Sequence, residues 1–139
     1  MLRLTPVALT ALALAVLVVS VAVPTVTAEE KTVEVTVDCG SDGTGPGAVT
    51  VNPWRLWLKK GDVASWNLGG GESLSDKTII VEPKRDQRWP YQKRQHVSAQ
   101  GKAEASGMTT DPYGDFTYNI TFYCNGEAFV IDPRVRVGP

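Results

Sequence analysis

Polar and apolar residues alternate along two well-separated segments of the chain. From Lys31 to Val37 every second residue is a valine, and Cys39 continues this phase. From Phe116 to Cys124, aromatic and aliphatic residues hold the alternate positions. Because successive side chains of a strand point to opposite faces of a sheet, both segments are predicted to be strands with one buried face.

The segment between these two strands contains shorter β-rich runs. Residues 54–58 and 63–68 flank Lys59-Lys60-Gly61-Asp62 and predict a hairpin with a short glycine-containing turn. Residues 78–82 predict another strand, which ends at Pro83. Residues 83–112 are polar with little β periodicity, so we expect a long excursion, with a short helical turn near residues 100–106.

The end of the chain predicts one hairpin and one further strand. Asn125-Gly126 is a strong turn signal and leads into residues 128–131. Pro133 precedes residues 134–137 and indicates that this last strand lies at a sheet edge.

The first 28 residues have the order of features that is typical of an export signal. Arg3 is followed by a long apolar run, then by the helix breaker Pro24 and by small residues up to Ala28. We expect cleavage after Ala28 and one domain over residues 29–139; an uncleaved helical membrane anchor is the alternative, since the run is long enough to span a bilayer. Either reading places the domain outside the cytoplasm, in the periplasm or in the extracellular space.

Both cysteines fall within the predicted exported domain. Cys39 and Cys124 share the phase of the buried faces, and an oxidising compartment allows such a pair to persist as a disulfide. Seven or so short strands and an inward-facing cysteine near each end of the domain predict an all-β fold, a small two-sheet sandwich.

The run from Leu58 to Asn67, with Gly61-Asp62 and Trp66, resembles the Gly-Asp-x-Val-x-Trp segment of cupredoxin-like β-sandwiches. Residues 114–124 extend this likeness, and the resemblance implies a Greek-key sandwich. Copper-binding members would need two histidines, a cysteine and usually an axial methionine. Since His96 is the sole histidine, the resemblance implies the fold without the blue copper site.

An immunoglobulin-like sandwich is the second family reading. Phe122-x-Cys124 looks like the aromatic approach to the second cysteine of those domains, and Trp66 would be their core tryptophan. Both families are two-sheet sandwiches, so the predicted fold class is the same.

Charge is unevenly distributed along the predicted domain. The chain has 14 basic and 15 acidic residues, and only Arg3 lies before residue 29, so the domain is slightly acidic. The loop over residues 84–102 nevertheless holds six basic residues against Asp86 alone, interleaved with aromatic rings. Such a loop suits a protein partner or an acidic membrane or glycan surface, and the predicted contact residues are Arg85, Arg88, Trp89, Tyr91, Lys93 and Arg94.

No catalytic set emerges from the sequence. His96 stands among cations and is expected to be a solvated loop residue, and Asp111 and Asp115 match no calcium loop. Nucleic acid is disfavoured by the compartment and the acidic balance. We therefore expect a non-enzymatic, exported binding or accessory protein without cofactor or metal. The alternative is a copper-binding or electron-transfer protein that uses reduced Cys124 and His96.

Overall fold

The computed structural model describes residues 17–25, 27–40, 45–70 and 74–139, and every regular element within them is a strand. In chain order the strands are β1 (Glu30–Cys39), β2 (Pro46–Asn52), β3 (Arg55–Lys59), β4 (Val63–Gly70), β5 (Ile79–Pro83), β6 (His96–Ser98), β7 (Lys102–Ala105), β8 (Gly114–Cys124), β9 (Glu127–Ile131) and β10 (Arg134–Gly138). The prediction of an all-β fold is confirmed.

The strands form two mixed sheets that pack face to face. Sheet one has the order β2-β1-β4-β7, and sheet two has the order β3-β10-β8-β5-β6, with β9 also paired to β8. The β1–β4 and β3–β10 pairs are parallel, and the others are antiparallel. The predicted two-sheet sandwich is therefore confirmed.

The core lies between the inward faces that the alternation predicted. Val33, Val35 and Val37 of β1 are at most 1% exposed, and the apolar positions of β8 are buried opposite them. The predicted disulfide is present: Cys39 on β1 bonds to Cys124 on β8, with 5.5 Å between the Cα atoms. It joins the two sheets covalently and closes a loop that contains most of the domain.

The predicted hairpin around Lys59-Lys60-Gly61-Asp62 is wrong. β3 pairs with β10 in sheet two, whereas β4 pairs with β1 and β7 in sheet one. The turn is tight, since the Asp62 amide donates to the Lys59 carbonyl at 3.1 Å. Both strands bury apolar side chains, and they do so from opposite sides of the core. The turn therefore carries the chain from one sheet to the other.

The last strand is not an edge strand. β10 lies between β3 and β8, and the edges of sheet two are β3, β6 and β9, of which β9 pairs with β8 alone. Pro133 precedes β10, and its carbonyl accepts from the Tyr118 amide at 3.2 Å. The proline therefore joins the ladder as an acceptor only, and its missing N–H costs no ladder hydrogen bond.

The predicted long excursion contains two short strands, and the predicted helical turn is wrong. β6 extends sheet two, and β7 pairs with β4 at the edge of sheet one. Gly101 leads into β7 with φ of +78°, and a Cβ there would lie 2.9 Å from the Leu68 carbonyl oxygen. Since Leu68 also donates to the Gly101 carbonyl at 2.6 Å, this close approach requires glycine.

Most of the predicted leader helix lies outside the described residues, which omit 1–16 and 26. Residues 17–25 and 27–29 are exposed and have no regular secondary structure. In the described part of the chain, no helix is long and apolar enough to cross a bilayer.

Candidate functional site

The outward side of sheet two carries a group of basic side chains, here called the basic face: Arg55, Lys59, Lys84, Arg134 and Arg136. Arg134 lies opposite both Arg55 on β3 and Thr117 on β8. The Lys84 amide donates to the Thr117 carbonyl at 3.4 Å, so Lys84 extends the same row. The neighbouring residues Leu56 and Val135 are buried, which leaves the basic side chains directed to solvent.

Two exposed tryptophans accompany this face. Trp57 lies opposite Arg136 in the β3–β10 ladder, and the Arg136 guanidinium carbon is 5.2 Å from the centroid of the Trp57 ring. Asp115 on β8 holds the same guanidinium through an Nη1–Oδ2 contact of 3.3 Å. The ring of Trp57 is 59% exposed and that of Trp54, just before β3, is 51% exposed. Arg136 is thus fixed against a ring that keeps most of its surface in water.

A groove of about 390 Å³ runs beside Trp57. Lys31, Lys59 and Arg136 supply positive charge to its lining, Asp62 supplies one carboxylate, and Leu58 and Pro139 supply apolar surface. An aromatic ring, an apolar floor and several cations therefore meet at one end of the basic face.

A second depression, here called the arginine cleft, has a volume of about 440 Å³. It is lined by Glu82, Pro83, Arg85, Asp86, Arg94 and Asn119. Glu82 accepts from the Gln95 amide at 3.0 Å, and Arg94 donates to the Gln87 carbonyl at 2.9 Å. The Arg85 side chain makes no hydrogen bond or ion pair with another described residue. The cleft opens on the same side of sheet two as the basic face, because Glu82 and Asn119 are paired outward positions.

The structure separates the six predicted contact residues into two groups. Arg85 and Arg94 line the arginine cleft, and Lys93 is exposed. Arg88 lies elsewhere, since its guanidinium donates to the Asp111 carbonyl at 3.0 Å and stands 6.0 Å from the Phe116 ring centroid. The four cations are therefore solvent-accessible, but they do not form one cluster.

Trp89 and Tyr91, the two aromatic residues of the predicted contact set, are buried. They are only 5% and 2% exposed, so neither ring is available to a partner. The centroid of Trp89 lies 5.6 Å from that of Tyr118, and the Tyr91 hydroxyl donates to the Asp62 carbonyl at 3.1 Å. Both rings cover the open side of the core between the sheets. Burial of their apolar surface stabilises the folded domain, which explains why the loop does not expose them.

His96 is also buried, and the expectation of a solvated loop histidine is wrong. Its ring is 4% exposed and lies within 6.5 Å of the rings of Trp66, Trp89 and Tyr91, measured between centroids. Nε2 is 3.1 Å from the Lys93 carbonyl oxygen, which requires the proton on that nitrogen. Burial lowers the pKa of His96, and hydrogen bonds to the carbonyls of Lys93 and Glu104 partly oppose this effect. His96 is thus a core residue and not a solvated loop residue.

The core cluster around His96 also holds a buried hydrogen bond. Trp66 Nε1 donates to the Tyr118 hydroxyl at 2.8 Å, and both residues are fully buried. Burial raises the pKa of the Tyr118 hydroxyl well above its usual range. Trp89 Nε1 is buried and has no hydrogen-bond partner among the described residues. These rings hold the loop against the core and leave its cations at the surface.

The donors that a metal site would need are committed elsewhere. Cys124 is in the disulfide, and His96 Nε2 is bonded to a carbonyl. Asp115 is paired with Arg136, and Asp111 lies 3.7 Å from Arg88. Within residues 17–25, 27–40, 45–70 and 74–139, no three histidine, cysteine or carboxylate side chains are grouped as a metal ion would require.

The outward side of sheet one has the opposite charge. Glu30, Glu34 and Asp38 project from β1, and Glu104 projects from β7. The one cation among these outward strand positions is Lys102, which pairs with Glu30 at 2.9 Å. The two outer surfaces of the sandwich therefore differ in sign, although the whole domain is close to neutral.

Sequence reasoning missed the arginines of the basic face. Arg134-Val-Arg-Val137 alternates strictly, which was sufficient to place both arginines outward. The sequence did not indicate which strand pairs with β10. The parallel pairing of β10 with β3 brings Arg55 and Trp57 beside the two arginines. The alternation within β3, with Leu56 and Leu58 buried, places Trp57 outward, and Trp54 precedes the strand and is exposed as well.

No known family matches this chain, and no match was found among proteins of curated function.

Proposed function

We propose that this is an exported, non-enzymatic binding protein that holds an acidic polysaccharide on the basic face of sheet two. The observation that supports this most is the combination of Trp57, with Arg136 stacked beside it, and the row formed by Lys84, Arg134 and Arg55. An exposed aromatic ring packs against the C–H surface of a sugar ring, and guanidinium groups bind carboxylate or sulfate in a bidentate manner.

The charge distribution favours an anionic ligand on one side only. Arg55, Arg134 and Lys59 make no ion pair with any described residue, whereas Lys84 pairs with Asp132 at 2.6 Å and Arg136 pairs with Asp115 at 3.3 Å. Three of the five cations of the basic face are therefore available to an anion, whereas Lys102 on the other outer surface is already paired. Arg55 and Arg134 lie opposite each other without an ion pair, and an anion bound between them relieves the repulsion of their like charges. The acidic surface of sheet one disfavours the same ligand there.

The polar groups between the cations favour a sugar chain over a lipid surface. Thr117, Asn119 and Thr121 face outward along β8 and offer hydroxyl and amide groups for hydrogen bonds. Trp57 lies within a sheet strand, whereas a ring that inserts into a bilayer is best carried on a protruding loop. Asn119 and Trp57 are separated by roughly 16 Å from the spacing of residues and strands, so an extended chain can reach both depressions.

In this proposal the loop over residues 84–102 contributes through the arginine cleft. Arg85 has no partner among the described residues, and Arg94 retains donors beyond its bond to the Gln87 carbonyl. We assign these two residues to the ligand and Arg88 to local structure. Trp57 takes the aromatic role first given to Trp89 and Tyr91.

The test is retention of the exported, oxidised protein on immobilised heparin, polygalacturonate and neutral dextran. We expect retention on both acidic polymers and none on dextran. Trp57→Ala is expected to weaken binding at least about tenfold, as for a central aromatic contact. Arg134→Gln with Arg136→Gln should weaken binding further and flatten its dependence on salt.

Lys102→Gln is the matched control, because it removes one positive charge from the opposite outer surface. It should leave retention unchanged. Arg134→Gln alone is the corresponding single-charge change on the basic face, and equal losses for it and for Lys102→Gln would show that net charge alone governs binding. Binding to phosphatidylserine vesicles without binding to either acidic polymer would assign the basic face to a membrane instead.

We also propose that the domain belongs to a known sandwich family and is located outside the cytoplasm. The sandwich is compatible with a cupredoxin-like or an immunoglobulin-like member, and the disulfide is consistent with an extracytoplasmic location. The copper alternative requires a free Cys124 thiolate, which the disulfide removes. A protein that develops an intense visible band with added copper without reductant would restore that alternative.

A further inference from the structure

Asp62 is a buried carboxylate at the turn between β3 and β4. It is 4% exposed, and both of its oxygens accept hydrogen bonds from backbone amides. Oδ2 accepts from Lys59 at 2.8 Å, and Oδ1 accepts from Glu29 at 3.2 Å. No described lysine or arginine forms an ion pair with it. Lys31 acts on Asp62 electrostatically without a direct ion pair. A largely buried carboxylate is stabilised further by a cation in direct contact.

The nitrogen on Oδ1 belongs to the residue that follows the predicted cleavage bond. Glu29 is held in place independently, because its carbonyl accepts from the Val63 amide at 2.8 Å, and β1 begins at the next residue. Thr27 and Ala28 are exposed and have no regular secondary structure, so the Ala28–Glu29 bond is open to a peptidase. Cleavage would leave the Glu29 nitrogen where it is and change only its charge.

We propose that hydrolysis of the Ala28–Glu29 bond creates an ion pair between the new α-ammonium of Glu29 and the buried carboxylate of Asp62. An export peptidase catalyses the step: water adds across the amide, its oxygen goes to the Ala28 carbonyl carbon, and the Glu29 nitrogen leaves as an amine. That amine takes up a proton at neutral pH, since a free α-amino group has a pKa of about 7.7–8.0. The amide hydrogen bond becomes a charge-assisted one without movement of either residue.

The proposed ion pair requires cleavage at the Ala28–Glu29 bond and not at a neighbouring bond. Neighbouring Cα atoms in a chain are about 3.8 Å apart, so cleavage one residue earlier or later moves the ammonium away from Oδ1. Only a chain that begins at Glu29 gives Asp62 a cation at hydrogen-bond distance. Removal of the leader would therefore fasten the start of β1 to the β3–β4 turn, beside the groove that holds Trp57.

The experiment starts from the full chain, exported and processed by the producing cells. Mass spectrometry of the product should give Glu29 as the first residue. The α-amine is then acetylated near pH 6.5, where lysine side chains are far more protonated and react little. We expect acetylation to lower the folding equilibrium constant about tenfold in the wild type and to have no effect in Asp62→Asn. Asp38→Asn, which changes an exposed carboxylate on β1, should respond like the wild type.

A direct titration tests the pair even if Asp62→Asn does not fold. The pKa of the Glu29 α-amine, followed by ¹⁵N NMR in the processed wild type, should lie above the ordinary 7.7–8.0. An ordinary pKa, a mature chain that begins elsewhere, or equal effects of acetylation in the wild type and Asp62→Asn would each overturn the proposal.

Discussion

Loss of the Cys39–Cys124 disulfide is expected to be the largest single perturbation of this fold. The two cysteines are 85 residues apart in the chain, so the bond restricts most of the unfolded domain. For a loop of that length the chain-entropy relation gives about 4 to 5 kcal/mol at 25 °C. A small domain has a total stability of about 5 to 15 kcal/mol, so reduction should remove a large share of it.

The assay is urea unfolding followed by tryptophan fluorescence, with and without reductant, since Trp66 and Trp89 are buried and report the core. The reduced wild type should unfold at a much lower urea concentration, with a larger m-value because the unfolded chain becomes more expanded. The thermal midpoint should fall by on the order of 20 °C.

Cys39→Ala with Cys124→Ala separates the constraint from the packing of the sulfur atoms. It should be destabilised slightly more than the reduced wild type, because two buried sulfurs are also lost. Equal midpoints for the oxidised and reduced wild type would contradict this expectation, since they would mean that the bond does not restrict the unfolded state.

Three smaller perturbations test other parts of the structure. Tyr118→Phe removes the acceptor of the buried Trp66 N–H and should destabilise the domain by about 1–3 kcal/mol in urea unfolding; an unchanged midpoint would mean that the indole finds another partner. Burial lowers the pKa of His96 from its ordinary 6.5, so the unfolded chain binds the proton more readily and stability should fall as pH drops below about 6.5. His96→Gln should reduce this loss between pH 6.5 and 5, and an identical pH profile would contradict a lowered pKa of His96 in the folded domain. Ala103→Asp places an unpaired carboxylate in the core, at a position that is 1% exposed, and should lower the urea midpoint clearly in the same assay, whereas Glu104→Gln on the outer surface should change the stability by no more than about 0.5 kcal/mol.

The strands and turns that could be predicted are those whose own residues carry the full signal, either polar–apolar alternation or a characteristic turn sequence. The alternation in β1 and β8 identified the buried faces, and it placed Cys39 and Cys124 together because both share the apolar phase. Asn125-Gly126 likewise specified the β8–β9 hairpin, which is present. In each case a local rule of geometry was sufficient.

The errors concern which sheet a strand joins. The turn at residues 59–62 has the composition of a hairpin, but composition does not distinguish a chain that returns to its own sheet from one that crosses to the other. In the same way, Pro133 is compatible with an interior strand because it lies just before β10 and contributes only its carbonyl. Partner strands are chosen by burial of the whole core, which a local pattern does not contain.

The candidate site was predicted only in part for the same reason. Arg85 and Arg94 were identified from local charge and do line a cleft. Trp89, Tyr91 and His96 were assigned to the surface because their neighbours in sequence are polar, yet they pack against Trp66 and Tyr118 across the core. The basic face joins residues that are about 80 positions apart in the chain, and only the β3–β10 pairing reveals it.

The most direct test of the proposed function is an NMR titration of the ¹⁵N-labelled, oxidised protein with a short polygalacturonate oligomer. Binding on the basic face predicts saturable shifts of the indole signal of Trp57 and of the backbone amides around Arg55, Arg134 and Arg136. The signals of Glu34 and Glu104 on the opposite surface should stay unchanged. Shifts confined to sheet one, or none at millimolar oligomer in low salt, would contradict the assignment of sheet two as the binding surface.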